Sequence, residues 1–312
     1  MNESVSVVPV GALVYGIQLP VQALSIVTSM PWEREAGPAD LLRAAQTADA
    51  ANFFYIAVCD HVAIPREKAD TMSTTWFNPV ATLGWLAGQT TRTALMTNVY
   101  VAAYRHPLDT AKAFATLDHL SGGRVILGVG VGHVEGEFDA LGVSFADRGS
   151  ITNSALDEII AAWTDEFVGD VGLRPRPARR PRPPIWVGGS SKPALRRVAE
   201  RADGWIPQGT PRKLMPESIA YLLAHRDEVR PSQPIDIGVI TEHVYLGEPS
   251  WSVPKYTLTG SAMAIADSLN EYGAMGVSHL QLRFASRSID ELCDQMTMFG
   301  DEVGPLLHRK ED

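Results

Sequence analysis

Asp60-His61 sets a carboxylate beside an imidazole at the end of the apolar run Phe53 to Val58. Histidine titrates near neutral pH, so the pair suits proton transfer, whereas its plain reading is a polar loop start. His133 adds a second titratable ring, followed by Glu135 and Glu137. These three form neither H-E-x-x-H nor a His/Cys cluster, so no metal site is expected. The two glutamates read as a solvated helix start, where acids meet the positive end of the dipole. Gly128-Val129-Gly130-Val131-Gly132 is G-x-G-x-G rather than the dinucleotide fingerprint G-x-G-x-x-G, and it comes too late in the chain for the first turn of a dinucleotide fold. Glycines there still let a flat ligand approach the backbone closely. Gly188-Gly189-Ser190-Ser191 precedes a helix opening near Pro193. Free N–H groups, two hydroxyls, Lys192 and the positive helix end make a cradle for a phosphate or carboxylate. Ser191 as a simple N-cap is the plainer account. No G-x-S-x-G nucleophile motif occurs.

The elements that must position these groups alternate. Strand signals are Leu13 to Pro20, Phe53 to Val58, Thr93 to Val101, Val125 to Gly130, Ile185 to Gly189, Gly204 to Ile206, Ile235 to Leu246 and His279 to Phe284. Helical patterns fall between them. One opens at Pro38 with Leu41, Leu42, Ala45 and Ala48 on a face; another spans Trp76 to Thr90; a third carries Leu108, Ala111 and Ala115 and stops at Gly122-Gly123. Leu156, Ile159, Ile160 and Trp163 mark the next, then Pro193 to Ala202, Pro216 to Val229, Ser261 to Gly273 and Asp290 to Val303. Eight strands alternating with helices, without a polar linker, predict a single (β/α)8 barrel over residues 1–312, with residues 1–12 as a flexible tail. The polar stretch Ala63 to Thr75 and the Arg/Pro-rich stretch Gly169 to Pro184 read as loops laid over a barrel end, with insertions at the C-terminal end of the strands. In such a barrel the active site gathers at that end, where Asp60-His61, Asn98 to Arg105, Gly130 to His133 and Gly188 to Ser191 all fall.

Composition narrows the function. Among 312 residues, 27 Lys+Arg stand against 36 Asp+Glu, a net charge of −9. An acidic chain repels phosphate backbones, which argues against nucleic acid as a partner. Two cysteines make no disulfide framework. No apolar run is long enough to span a membrane, and the N-terminus lacks the basic start of a secretory signal. The expectation is a soluble, cytoplasmic protein.

Taken in order, the motifs resemble the luciferase-like flavin and deazaflavin oxidoreductases, most closely the coenzyme F420-dependent branch. The likeness runs from Tyr15 to Pro207. It includes Gly16 to Pro20, Asp60-His61 before Pro65, Arg105-His106-Pro107-Leu108 and Ala115 to Arg124. Leu127 to Gly132, Glu137-Phe138, Leu141-Gly142, Arg148-Gly149, Leu156-Asp157-Glu158, Trp163-Thr164, Pro183 to Gly189 and Asp203-Gly204-Trp205 follow. The resemblance implies a TIM barrel, usually dimeric, acting on a small organic substrate. It implies that Asp60 and His61 lie near the ring system, and that Asn98-Val99 is a cis bulge backing the ring. It further implies that Gly130, Val131 and Gly132 line the ring edge, and that Gly188, Gly189 and Ser190 hold the cofactor phosphate. His133 departs from the pattern: relatives carry Trp there, and the sugar-phosphate branch an acid. That argues against sugar-phosphate chemistry and leaves the substrate open.

The function expected from the resemblance is hydride transfer between the deazaflavin C5 and an organic substrate, with His61 moving the proton and Asp60 orienting it or touching the cofactor. An FMN-dependent monooxygenase on the same scaffold is the alternative, and a non-catalytic flavin-binding barrel the second. A homodimer is expected through the helix around Trp76, Phe77, Leu83, Trp85 and Leu86, whose apolar surface exceeds what one buried helix face needs.

Overall fold

A computed structural model describes residues 4–26 and 29–309. Its strands are β1 (Val14–Gln18), β2 (Tyr55–Val58), β3 (Ala94–Thr97), β4 (Val125–Gly130), β5 (Ile185–Gly188), β6 (Gly204–Ile206), β7 (Asp236–Leu246) and β8 (His279–Phe284). Each pairs in parallel with the next, β8 pairs with β1, and Asp236 and Ile237 opposite Gly204 and Trp205 join β6 to β7. The sheet is therefore a closed eight-stranded parallel barrel, as the alternation predicts. Around it run α1 (Pro38–Ala50), α2 (Pro79–Ala87), α3 (Pro107–Ser121), α4 (Arg148–Thr164), α5 (Lys192–Arg201), α6 (Met215–Val229), α7 (Ala262–Ala274) and α8 (Ile289–Met298). Local chemistry sets their ends. Proline stands in the first two positions of α1, α2, α3, α5 and α6, where its missing N–H costs nothing. The side chains of Asn78, Ser191, Ser261 and Ser288 cap α2, α5, α7 and α8. Gly122 closes α3 at φ 73°, a left-handed turn that suits glycine. No helix among the described residues is long and apolar enough to cross a membrane.

Apolar residues lie on both sides of the sheet. The larger set joins the outer strand faces to the helices. The smaller fills the barrel interior with Tyr55, Met96, Ile126, Trp186 and Ile206. Inside, the Trp186 and His279 rings stack with centroids 4.0 Å apart, and Tyr55 meets both edge-on.

Three expectations need correction. Residues 4–8 are not a loose tail. Ser4 Oγ and the Val5 N–H donate to Asp203, Ser6 Oγ and the Val7 N–H donate to Asp236, and Val8 packs into the barrel interior. The segment is tied down because two buried carboxylates at the N-terminal barrel end need donors; residues 1–3 of that expected tail lie outside the described residues. The Arg/Pro-rich stretch also lies at the N-terminal end, since it leads into β5. Arg179 donates to the Gly123 carbonyl just before β4, and Arg182 pairs with Asp203 just before β6. Of these two stretches, Ala63 to Thr75, after β2, is the one at the C-terminal end. Finally, Trp76 precedes α2 and its ring turns into the cleft, while Leu83 and Leu86 are core residues. Trp85 is left at 41% exposure, so this helix carries no surplus apolar face.

Candidate active site

At the C-terminal end of the strands a cleft of about 530 Å³ opens, bordered by Asp60, His61, Trp76, Asn98, Val99, Gly130 to His133, Gly188 and Gly189. Barrel closure thus brings together every site residue expected from the sequence except Ser190, which sits beside it on the same loop.

His61 leaves β2 and is held by a carboxylate, but not by Asp60. Its Nδ1 lies 2.8 Å from Glu137 Oε2. Glu137 belongs to the short helix Glu135–Leu141 after β4 and is fully buried. The Val62 and Ala63 N–H groups and the Tyr104 hydroxyl, at 2.8 Å, also donate to it. Burial alone would raise the Glu137 pKa; the bonds from His61, Ala63 and Tyr104 outweigh burial and hold it below the ordinary glutamate value. An ionised carboxylate only accepts, so Nδ1 carries the hydrogen and Nε2 is the working end of the ring. The reading of Glu137 as a solvated helix residue is therefore overturned. Its partner lies 76 positions away, and although Glu137-Phe138 stands among the motifs of the resemblance, nothing local pairs it with His61.

Asp60 points elsewhere. Both its oxygens take the Arg105 guanidinium, at 2.6 and 2.8 Å, and Oδ2 also accepts the Val101 N–H at 3.0 Å. It pins the segment after β3 rather than orienting His61. Trp76 meets the His61 ring edge-on at 4.3 Å, and His133 approaches it at 5.6 Å from the solvent side. Burial, then the nearby His61, pulls the His133 pKa below the ordinary value, so its ring is neutral at pH 7.

The far wall is the break in β3. The peptide bond between Asn98 and Val99 is cis. The strand read as continuous from Thr93 to Val101 stops at Thr97 and resumes as Tyr100–Val101 against β4. A Cβ on Gly130 or Gly188 would overlap the Val99 side chain, so these two glycines make room for the bulge itself. The Asn98 amide is fixed on both sides: Nδ2 donates to Gln281 Oε1 at 2.5 Å, and Oδ1 accepts from Gln208 Nε2 at 3.2 Å. Glutamines were not singled out in the sequence, because their roles depend on neighbours across the barrel. Gln18 and Gln22 likewise donate to Cys59 Sγ, whose pKa burial raises to about 11.

At the head of α5 the two serine hydroxyls are already engaged. Ser190 Oγ donates to the Gln208 carbonyl at 2.9 Å and accepts its N–H at 3.1 Å, while Ser191 Oγ caps the Ala194 N–H. Any anion at this loop meets main-chain N–H groups and the helix end rather than the hydroxyls.

A family model described as luciferase-like monooxygenase matches residues 19–281. The chain belongs to that family. An uncharacterized Mycobacterium tuberculosis protein is 32% identical over 191 residues, 54% of this chain and 67% of the relative. The FMNH2-dependent dimethylsulfone monooxygenase of Pseudomonas putida is 36% identical over 111 residues, 32% of this chain and 30% of the relative. Among solved structures, the coenzyme F420-dependent tetrahydromethanopterin reductase of Methanopyrus kandleri superposes with a TM-score of 0.73 at 16% identity, covering 94% of this chain and 99% of that one. That likeness is one of fold. The named proteins that the chain is similar to thus include an FMNH2-dependent enzyme by sequence and a coenzyme F420-dependent one by fold.

Proposed function

We propose that the chain is a coenzyme F420-dependent oxidoreductase that transfers a hydride between the deazaflavin and a small organic substrate, with His61 handling the proton. The observation that carries this is the His61–Glu137 contact in a cleft walled by the Asn98–Val99 bulge.

The residues present fit such a cofactor. The cleft has the volume of a small-molecule site. Val99 and Gly130 to Gly132 would face the flat ring system, Asn98 is held rigid beside it, and the N–H groups of Ser190, Ser191 and Lys192 with the Gly188-Gly189 backbone would hold its phosphate. When bound, the deazaflavin supplies or accepts the hydride. Hydride addition builds negative charge on the substrate, which the His61 Nε2 proton quenches; in the reverse direction Nε2 takes the proton. The Glu137 carboxylate stabilises the charged imidazole and fixes its ring. Trp76 packs on that ring and limits water there. His133, neutral at the rim, shapes the substrate side.

The ordered motifs shared with the F420 branch support the deazaflavin; the Pseudomonas putida relative supports reduced FMN as the competing cofactor. Tryptophan-quenching titrations decide between them. F420 is expected to bind at least tenfold more tightly than FMN, about 1.4 kcal/mol. Equal or tighter FMN binding would replace this reading with the monooxygenase one. The resemblance extends the proposal to a homodimer, which light scattering at micromolar concentration checks.

A further inference from the structure

Two groups at the barrel mouth have no part in the chemistry above. Along β8, His279 and Gln281 face the interior, the first on Trp186 and the second on Asn98. Strand alternation turns Arg283 to the same side, one pleat nearer the C-terminal end. On β7 the register shifts between Ile240 and His243, so His243 stands directly opposite Arg283. Such a break re-aims a side chain.

The Arg283 side chain is half-buried, yet among the described residues its guanidinium makes no hydrogen bond or ion pair. Burial pulls its pKa down, and burial followed by Arg283 itself pulls down that of His243. A guanidinium offers five donors and no acceptor, so a desolvated one without a partner is costly. The neighbouring carboxylates are engaged elsewhere. Glu33 accepts the Val21 and Met30 N–H groups, Glu242 accepts the Tyr272 hydroxyl, and Glu291 holds Arg287. Arg283 and His243 border a recess of about 60 Å³ with Trp32, Gln18 and Glu33, whose carboxylate is turned to the Val21 and Met30 N–H groups, and Gln18 also borders the main cleft.

We propose that Arg283 and His243 receive an oxyanion carried by the substrate, so that the substrate is a carboxylate, sulfonate or phosphate whose reacting end lies in the main cleft. The reacting end rests on the oxidoreductase reading; the oxyanion site does not. The recess has room for such a headgroup. One pleat, about 7 Å, separates Arg283 from the level of Gln281 beside the bulge, so charge and reacting carbon lie a few bonds apart.

The test needs neither cofactor nor turnover. In the full chain labelled with 13C-histidine, the His243 ring signal, assigned with His243→Gln, is followed while acetate, methanesulfonate or inorganic phosphate is added at fixed ionic strength. Neutral acetamide serves as the control. A saturable shift with at least one oxyanion and none with acetamide is expected, and the three arms identify which headgroup fits. Arg283→Gln should weaken binding at least tenfold, with Arg283→Lys between it and the wild type. Absence of saturation in the wild-type protein, or equal affinity in a folded Arg283→Gln, would overturn the proposal. Failure of F420 to bind would leave this site standing and remove only the redox reading.

Discussion

His61 and Asp60 are neighbours in sequence with separate tasks, and variants separate them. On the proposed reading His61→Ala removes the proton carrier, and turnover is expected to fall about 10²-fold or more with cofactor affinity within a few-fold. Glu137→Gln keeps the shape but removes the charge that supports the imidazolium, so turnover should also fall while the melting point moves less. Asp60→Asn instead leaves the Arg105 guanidinium without its bidentate partner. Breaking a buried pair this way costs about 3–5 kcal/mol, so the expected readout is a large drop in melting temperature. Steady-state kinetics and thermal melts on the three proteins check the division. Asp60→Asn matching His61→Ala in turnover with unchanged stability would return the orienting role to Asp60.

The bulge in β3 and the strap under the barrel are segments whose effects should not mix. Gly130→Ala puts a methyl against Val99. Overpacking of this kind costs about 1–3 kcal/mol, and here it also pushes on the cleft wall. Cofactor affinity is therefore expected to fall by more than the stability loss accounts for, as titration and urea unfolding of the same variant would show. Removing residues 1–8 acts at the other end. Asp203 and Asp236 lose the donors Ser4, Val5, Ser6 and Val7. Each hydrogen bond to a charged group contributes about 1.5–3 kcal/mol. The truncated protein should melt lower yet keep its cofactor affinity, and an equal loss of both would mean that the strap also shapes the cleft.

The whole barrel sets the candidate site at one end and the buried Arg182–Asp203 ion pair and the strap bonded to Asp236 at the other, and two buried groups make its pH dependence readable. His279 is held neutral by burial, its pKa lowered from 6.5 to about 3. That contribution is complete above pH 6.5 and is lost as pH falls toward 3. Asp236 has the opposite sign: burial raises its pKa from 3.8 to about 6, against the bonds from Val7 and Ser6. Its charge therefore costs stability above pH 6, and the cost is relieved as pH falls to about 4. Asp236→Asn lacks this term. The stability of the variant relative to wild type is expected to rise by roughly 2 kcal/mol from pH 4 to pH 7. Taking the difference cancels the other titrating groups, and urea unfolding at several pH values measures it. A flat difference would mean that Asp236 titrates as an ordinary carboxylate.

The eight-fold alternation, the proline and serine helix starts, the Gly122 stop and the strand ends bearing His61, Gly130 and Gly188 were all legible in the chain. Each depends on local backbone preference or on a short periodic pattern that a linear sequence carries. The cis bond at Asn98–Val99 was legible only through resemblance. Which carboxylate serves His61 was not legible. A side chain beyond the end of a strand follows no period, and adjacency along the chain misled for Asp60. Glu137 reaches His61 only because closing the barrel sets the loop after β4 beside the loop after β2. The pairing of His243 with Arg283, the inward turn of Trp76 and the tied residues 4–8 share that origin. Local chemistry determined which elements form and where the reactive ends fall; the register and curvature of the closed sheet decided which side chains meet there.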